Sequence, residues 1–142
     1  MSIDLNEKKF LDDLSALLAT AVLRADSIVD HWSKRIPPVD PIDQDQLKTV
    51  VLALKKAQGL LEIQENENHR LPIRKFIHDV ASPISTALFL VSSLIDVPEN
   101  PMPKNEDFEP AQSLNKALQE IQQLLKTYRE ELIAKGVPSA KS

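Results

Sequence analysis

Cysteine is absent from the chain, and glycine nearly so, with Gly59 and Gly136 standing alone. Without a thiol there is no disulfide, no zinc ribbon and no cysteine nucleophile. A glycine-rich phosphate loop needs clustered glycines where the backbone must approach the ligand, so two isolated ones exclude it. Aromatic residues make up only 4% of the 142 positions, which leaves the core to aliphatic side chains. The first residues, MSIDLNEKKF, lack the basic-then-apolar order of a signal peptide. Apolar runs such as ALFLV (87–91) fall far short of the roughly 20 residues of a membrane span. The net charge of -4 argues against nucleic acid, because neutralising phosphates needs a basic surface. A cytoplasmic protein with no membrane or nucleic-acid partner is the expectation.

What the chain does contain is helical periodicity. Between Asp4 and Lys34 the apolar residues Phe10, Leu11, Leu14, Leu17, Leu18, Ala21, Ala25, Ile28, Val29 and Trp32 recur at steps of three and four, which puts them on one helical face. RIPPVDPID stops that helix with three prolines. A second helix is predicted from Asp43 or Asp45, either able to cap it, with Leu47, Val50, Val51, Leu54, Ala57, Leu61 and Ile63 facing inward. The third begins near Pro72, a residue suited to a first helical turn, and carries Ile73, Ile77, Val80, Ile84, Ala87, Leu88, Val91, Leu94 and Ile95. The fourth runs from near Pro110 to Gly136 with Leu114, Ala117, Leu118, Ile121, Leu124, Leu125, Tyr128 and Leu132, and Gly136 reads as its C-cap.

No strand pattern competes. The fold class is all-α, with an N-terminal helical hairpin over 1–68, a second hairpin over 69–136 and a frayed tail over 137–142. Neither hairpin can bury both faces alone. A four-helix bundle is therefore expected, formed within one chain or, in the favoured arrangement, on homodimerisation.

One residue breaks the pattern. Pro83 sits inside the third stripe, which passes through it without losing register. An interior proline loses a ladder hydrogen bond and costs about 3 kcal/mol, so a kinked continuous helix is predicted. Five places earlier stands His78, flanking the stripe rather than filling it. Its helical neighbours at three and four residues are Arg74, Lys75, Ala81 and Ser82, with Ser85 a turn beyond. The patch is small and polar, open to a large partner. A local violation of helix rules beside an imidazole, a carboxylate and hydroxyls points to function.

His78-Asp79-Val80-Ala81-Ser82-Pro83-Ile84 resembles the H-box of the histidine-kinase dimerisation and phosphoacceptor domain. That motif reads His, an acidic residue, an apolar one, usually a basic one, a small polar one, Pro, and Leu or Ile. Phe76 matches an aromatic or apolar position upstream, and the hairpin from 70 to 135 matches in outline. The chain is also similar to stand-alone histidine phosphotransferases that reuse this domain. Ala81 departs from the usual basic position, and Ala81-Ser82 does not match the Lys-Gly of the other phosphotransfer bundles. No ATP-binding domain is expected after residue 136, so the chain would not phosphorylate itself.

The resemblance implies that His78 is the phosphoacceptor, passing a phosphoryl group to and from an aspartate of a response-regulator receiver domain. A neutral imidazole, ordinarily titrating near about 6.5, is a competent nucleophile at neutral pH. Its second nitrogen would keep a proton held by a carboxylate, a role the pattern gives to Asp79. Adjacent helical residues point about 100° apart, so Asp79 must reach round or act on a partner's group. Ser82 would help position a water. Arg74, Lys75, Ala81 and Ser85 would meet the partner, a receiver domain or a histidine kinase. No cofactor is expected on this chain, and Mg2+ would sit in the partner's acidic pocket. His31 and His69 have no spaced ligand partner and read as surface residues. The alternative is a non-catalytic helical adaptor or kinase inhibitor mimicking the same domain. A nucleoid or membrane-surface bundle is disfavoured for want of a basic amphipathic face.

Overall fold

The computed structural model describes residues 5–34, 41–66, 70–96 and 108–136. Among them are four helices and no strand: α1 (Leu5–Ser33), α2 (Pro41–Glu65), α3 (Ile73–Asp96) and α4 (Phe108–Ala134). The all-α expectation holds. The helix starts lie within a few residues of those expected, and the largest differences are at α2 and α4, which begin two residues earlier. Pro41 is the first residue of α2, ahead of Asp43, and Pro110 lies in the first turn of α4. A first-turn amide has no ladder acceptor, so its loss to a proline ring is free of penalty. Pro72 stands just before α3, and its carbonyl accepts the Phe76 amide at 3.0 Å. At the other end of the chain Gly136, with φ of 77°, closes α4 by donating its amide to the Ile133 carbonyl at 3.0 Å. This is the left-handed cap that glycine allows. His69 and the 137–142 tail lie outside the described residues.

The helices form a ring in chain order. α1 packs on α2, α2 on α3, α3 on α4 and α4 on α1, with no diagonal pair in contact among the described residues. Phe10, near the start of α1, stacks on Tyr128, near the end of α4, with ring centroids 4.2 Å apart. The same ring meets Phe76, at the start of α3, edge-on at 6.4 Å. The bundle therefore runs up-down-up-down within a single chain, and both hairpins contribute to one core.

The predicted stripes fill that core with a few corrections. Leu17, Val51, Ile73, Leu88, Ile95 and Leu124 are half-buried flank residues packed against it. Val29 and Ile63 are exposed, at 36% and 44%. Both lie to the side of residues that are buried in the same turns, Ile28 and Trp32 in α1 and Leu61 and Gln64 in α2. Phe76, Pro83, Gln64 and Ala111 were not assigned to any stripe, yet all are buried. α3 is the most apolar helix. Its Ile73–Ile95 segment is long and apolar enough to cross a membrane, with 39% of it buried. Its apolar side chains Phe76, Ile77, Val80, Ile84, Ala87, Val91 and Leu94 face the bundle core.

α3 continues through Pro83 from Ile73 to Asp96 without a break. The proline ring is buried, so the residue contributes to packing. The carbonyl that its missing amide would have engaged is that of Asp79.

Candidate functional site around His78

Two polar ties fix the start of α3, and hence the turn that carries His78. The Gln64 side chain, 1% exposed at the end of α2, bonds both backbone groups of Leu71. Its Nε2 donates to the Leu71 carbonyl at 3.0 Å, and its Oε1 accepts the Leu71 amide at 3.0 Å. One amide side chain thus satisfies a connection that no helix ladder reaches. Arg70 Nη1 meets Glu7 Oε2 of α1 at 3.0 Å, with both side chains largely covered. Phe76 then locks the first turns from inside, fully buried against Phe10.

Two residues after Phe76, and about 200° round the helix, His78 points outward with its side chain 80% exposed. Asp79, with its side chain 29% exposed, reaches both ways along the surface. Its Oδ1 lies 3.3 Å from His78 Nδ1, and its Oδ2 lies 3.4 Å from Lys75 Nζ. A carboxylate can only accept, so Nδ1 carries the hydrogen and donates it. In the neutral ring this leaves the lone pair on Nε2, the nitrogen turned away from Asp79. Partial burial pushes the Asp79 carboxyl upward. The hydrogen bonds from His78 and Lys75, with their charges, outweigh it and hold the group below its ordinary range.

The other sequence-predicted residues divide. Ser82, one turn beyond His78, is exposed on the same side of α3. Ser85 is exposed too, but faces α4, where Gln122 Nε2 donates to its hydroxyl at 3.5 Å. Ala81 is half-buried and packs against the core. Arg74 is half-buried at the start of the helix, and Lys75 is drawn back to Asp79. His78, Asp79 and Lys75 are thus linked, Ser82 is adjacent, Ser85 meets α4, and Arg74 and Ala81 are half-buried. Three turns along from His78, Phe89 is exposed at 71% on the same outward line. Gln122 was missed by sequence reasoning. It belongs to no motif, and only the register between α3 and α4 brings it to this surface.

Among the described residues no cluster of three potential metal ligands occurs. Compared with known proteins, the chain matches no family model, no curated protein and no solved structure. What the site does must therefore be argued from its own geometry.

Proposed function

We propose that the protein is a phosphorelay histidine phosphotransferase. His78 exchanges a phosphoryl group with an aspartate of a response-regulator receiver domain. The observation that carries this reading is the pairing of an outward imidazole with Asp79, which holds Nδ1 and leaves Nε2 open. In the forward step the Nε2 lone pair attacks phosphorus of the partner's aspartyl phosphate. The N–P bond forms as the P–O bond to the aspartyl oxygen breaks, and the carboxylate leaves with the electron pair. The Nδ1 proton stays on the ring, and the positive charge gained there is balanced by Asp79. The reverse step returns the phosphoryl group to a receiver. Mg2+ for the transfer belongs to the receiver's acidic pocket, and Ser82 is the hydroxyl nearest in sequence register for holding a hydrolytic water.

The α3–α4 hairpin already buries its inner face against α1 and α2. One chain therefore suffices for the bundle, and the proposed chemistry needs no second copy. Sedimentation of the protein reads directly whether the expected homodimer forms.

The test is incubation with a panel of phosphorylated receiver domains. An acid-labile, base-stable label that disappears in His78→Gln supports transfer. Tight receiver or kinase binding with no label, indifferent to His78→Gln, moves the assignment to the adaptor or inhibitor class.

A further inference from the structure

The motif at His78 has no cation in its own helix at the position where one is usual, since Ala81 stands there. A phosphorylated imidazole carries two negative charges on its phosphoryl oxygens, and transfer depends on neutralising them. The structure offers cations from the neighbouring helix instead. The contact between Ser85 of α3 and Gln122 of α4 sets the register of the two antiparallel helices. Seven residues are close to two turns, about 10 Å of rise. Two turns back from Ser85 is His78, and two turns on from Gln122 is Arg129. The two positions stand level across the α3–α4 seam. By the same register Lys126 stands level with Ala81, the residue in the vacant basic position.

Both cations are exposed, and neither has a carboxylate at ion-pair distance among the described residues. Ala81, small and half-buried, leaves the seam between them low. Packed helices lie about 8–10 Å apart, a gap that an arginine and a histidine leaning toward each other can span. Asp79 occupies the other side of His78 and engages Nδ1, so the α4 side is the one left to the group on Nε2. Glu130 follows Arg129 but points a further 100° or so round α4. Lys75, the cation on α3 itself, is held by Asp79 at 3.4 Å.

We infer that Arg129 and Lys126 of α4, with His78 of α3, form a phosphoryl-binding site across the helix seam. Arg129 grips the phosphoryl oxygens in a forked pair of hydrogen bonds, and Lys126 adds charge beside it. This deepens the phosphotransfer reading and rests on it for its biological use, but the anion site can be measured independently.

Inorganic phosphate is titrated into isotopically labelled protein while the His78 ring and Arg129 Nε resonances are followed by NMR. Both are expected to shift together, and Arg129→Ala abolishes the His78 response while His78→Gln leaves that of Arg129 largely intact. In parallel, phosphoramidate serves as a small phosphoryl donor. The rate of His78 labelling is expected to fall by about tenfold or more in Arg129→Ala, to recover in part in Arg129→Lys, and to fall further when Lys126→Ala is added. Thermal midpoints stay unchanged, which separates the effect from loss of fold. No phosphate response at Arg129, or labelling of the double variant at the wild-type rate, overturns the inference and leaves the transferase reading standing. A phosphate response with no label from phosphoramidate or any receiver sinks the transferase reading and leaves the anion site.

Discussion

The first turns of α3 present two faces that obey different rules. Inward, Phe76 is sealed against Phe10, which stacks on Tyr128. Two residues on, His78 stands in solvent, with Asp79 beside its Nδ1. The inner face is explained by the fold: remove it and the bundle loses its packing. The outer face is exposed at His78 and buries little there. The rigid inner face fixes where the imidazole stands, and the outer face is free to carry chemistry. This is how a site on a helix can be more exact than one on a loop.

The sharpest way to break the contrast is to cut each face in turn. Phe76→Ala removes a fully buried ring and should destabilise the protein by about 3–5 kcal/mol. His78→Gln should change stability by less than about 0.5 kcal/mol while abolishing the phosphoryl label. Denaturant melts of the two variants check both figures. Equal losses would mean that the histidine is structural after all.

Gln64 tests whether the polar tie, as well as the aromatic one, sets the start of α3. Gln64→Ala leaves the Leu71 amide and carbonyl without their partner, at about 1–3 kcal/mol. Amide exchange at Leu71 should accelerate, and labelling of His78 should slow because its turn is no longer pinned. Stability within error of wild type would show that water replaces the side chain freely.

Pro83 lies on the inner face, two turns on from Phe76. Alanine there restores a ladder donor to the Asp79 carbonyl and removes a helix-interior proline, a gain of about 3 kcal/mol. It also deletes two buried methylenes, at about 0.8 kcal/mol each. The balance predicts that Pro83→Ala raises stability by about 1 kcal/mol, read as a higher denaturant midpoint. If the proline instead serves presentation of His78, the stabilised variant transfers phosphate more slowly. A destabilised Pro83→Ala would show that packing alone retains the ring.

The contrast also marks how far the sequence could be read. Each apolar stripe was legible because steps of three and four report one helix's inward face. Leu14, Val50, Val80 and Leu118 follow directly from it, and all are fully buried. His78 was legible because Pro83 violates helix rules five places away. Gln64 was not, since a polar residue at a core position looks like a break in the stripe until its partner at Leu71 is seen. Gln122, Lys126 and Arg129 were invisible for a different reason. The place of Gln122 beside α3, and that inferred for Lys126 and Arg129, depends on the register between two helices, and periodicity within one helix carries no such information.

The smallest effect concerns Asp79, which joins the two faces electrically. Its carboxyl titrates below the ordinary value because, against the upward push of partial burial, His78 and Lys75 donate to it. A carboxyl depressed by folding contributes stability above its unfolded value, near about 3.9, and loses it as the pH falls through the lower folded value. Surface pairs of this kind contribute little, so the signature is the midpoint rather than the melting temperature. The side-chain carboxyl carbon of Asp79, followed by NMR from neutral to acid pH, should titrate below a model aspartate. Lys75→Ala should raise that midpoint part of the way, and His78→Gln should raise it as well, since imidazoles are protonated where carboxyls titrate. If neither substitution moves it, Asp79 does not hold Nδ1 in solution, and the assignment of Nε2 as the attacking nitrogen loses its physical basis.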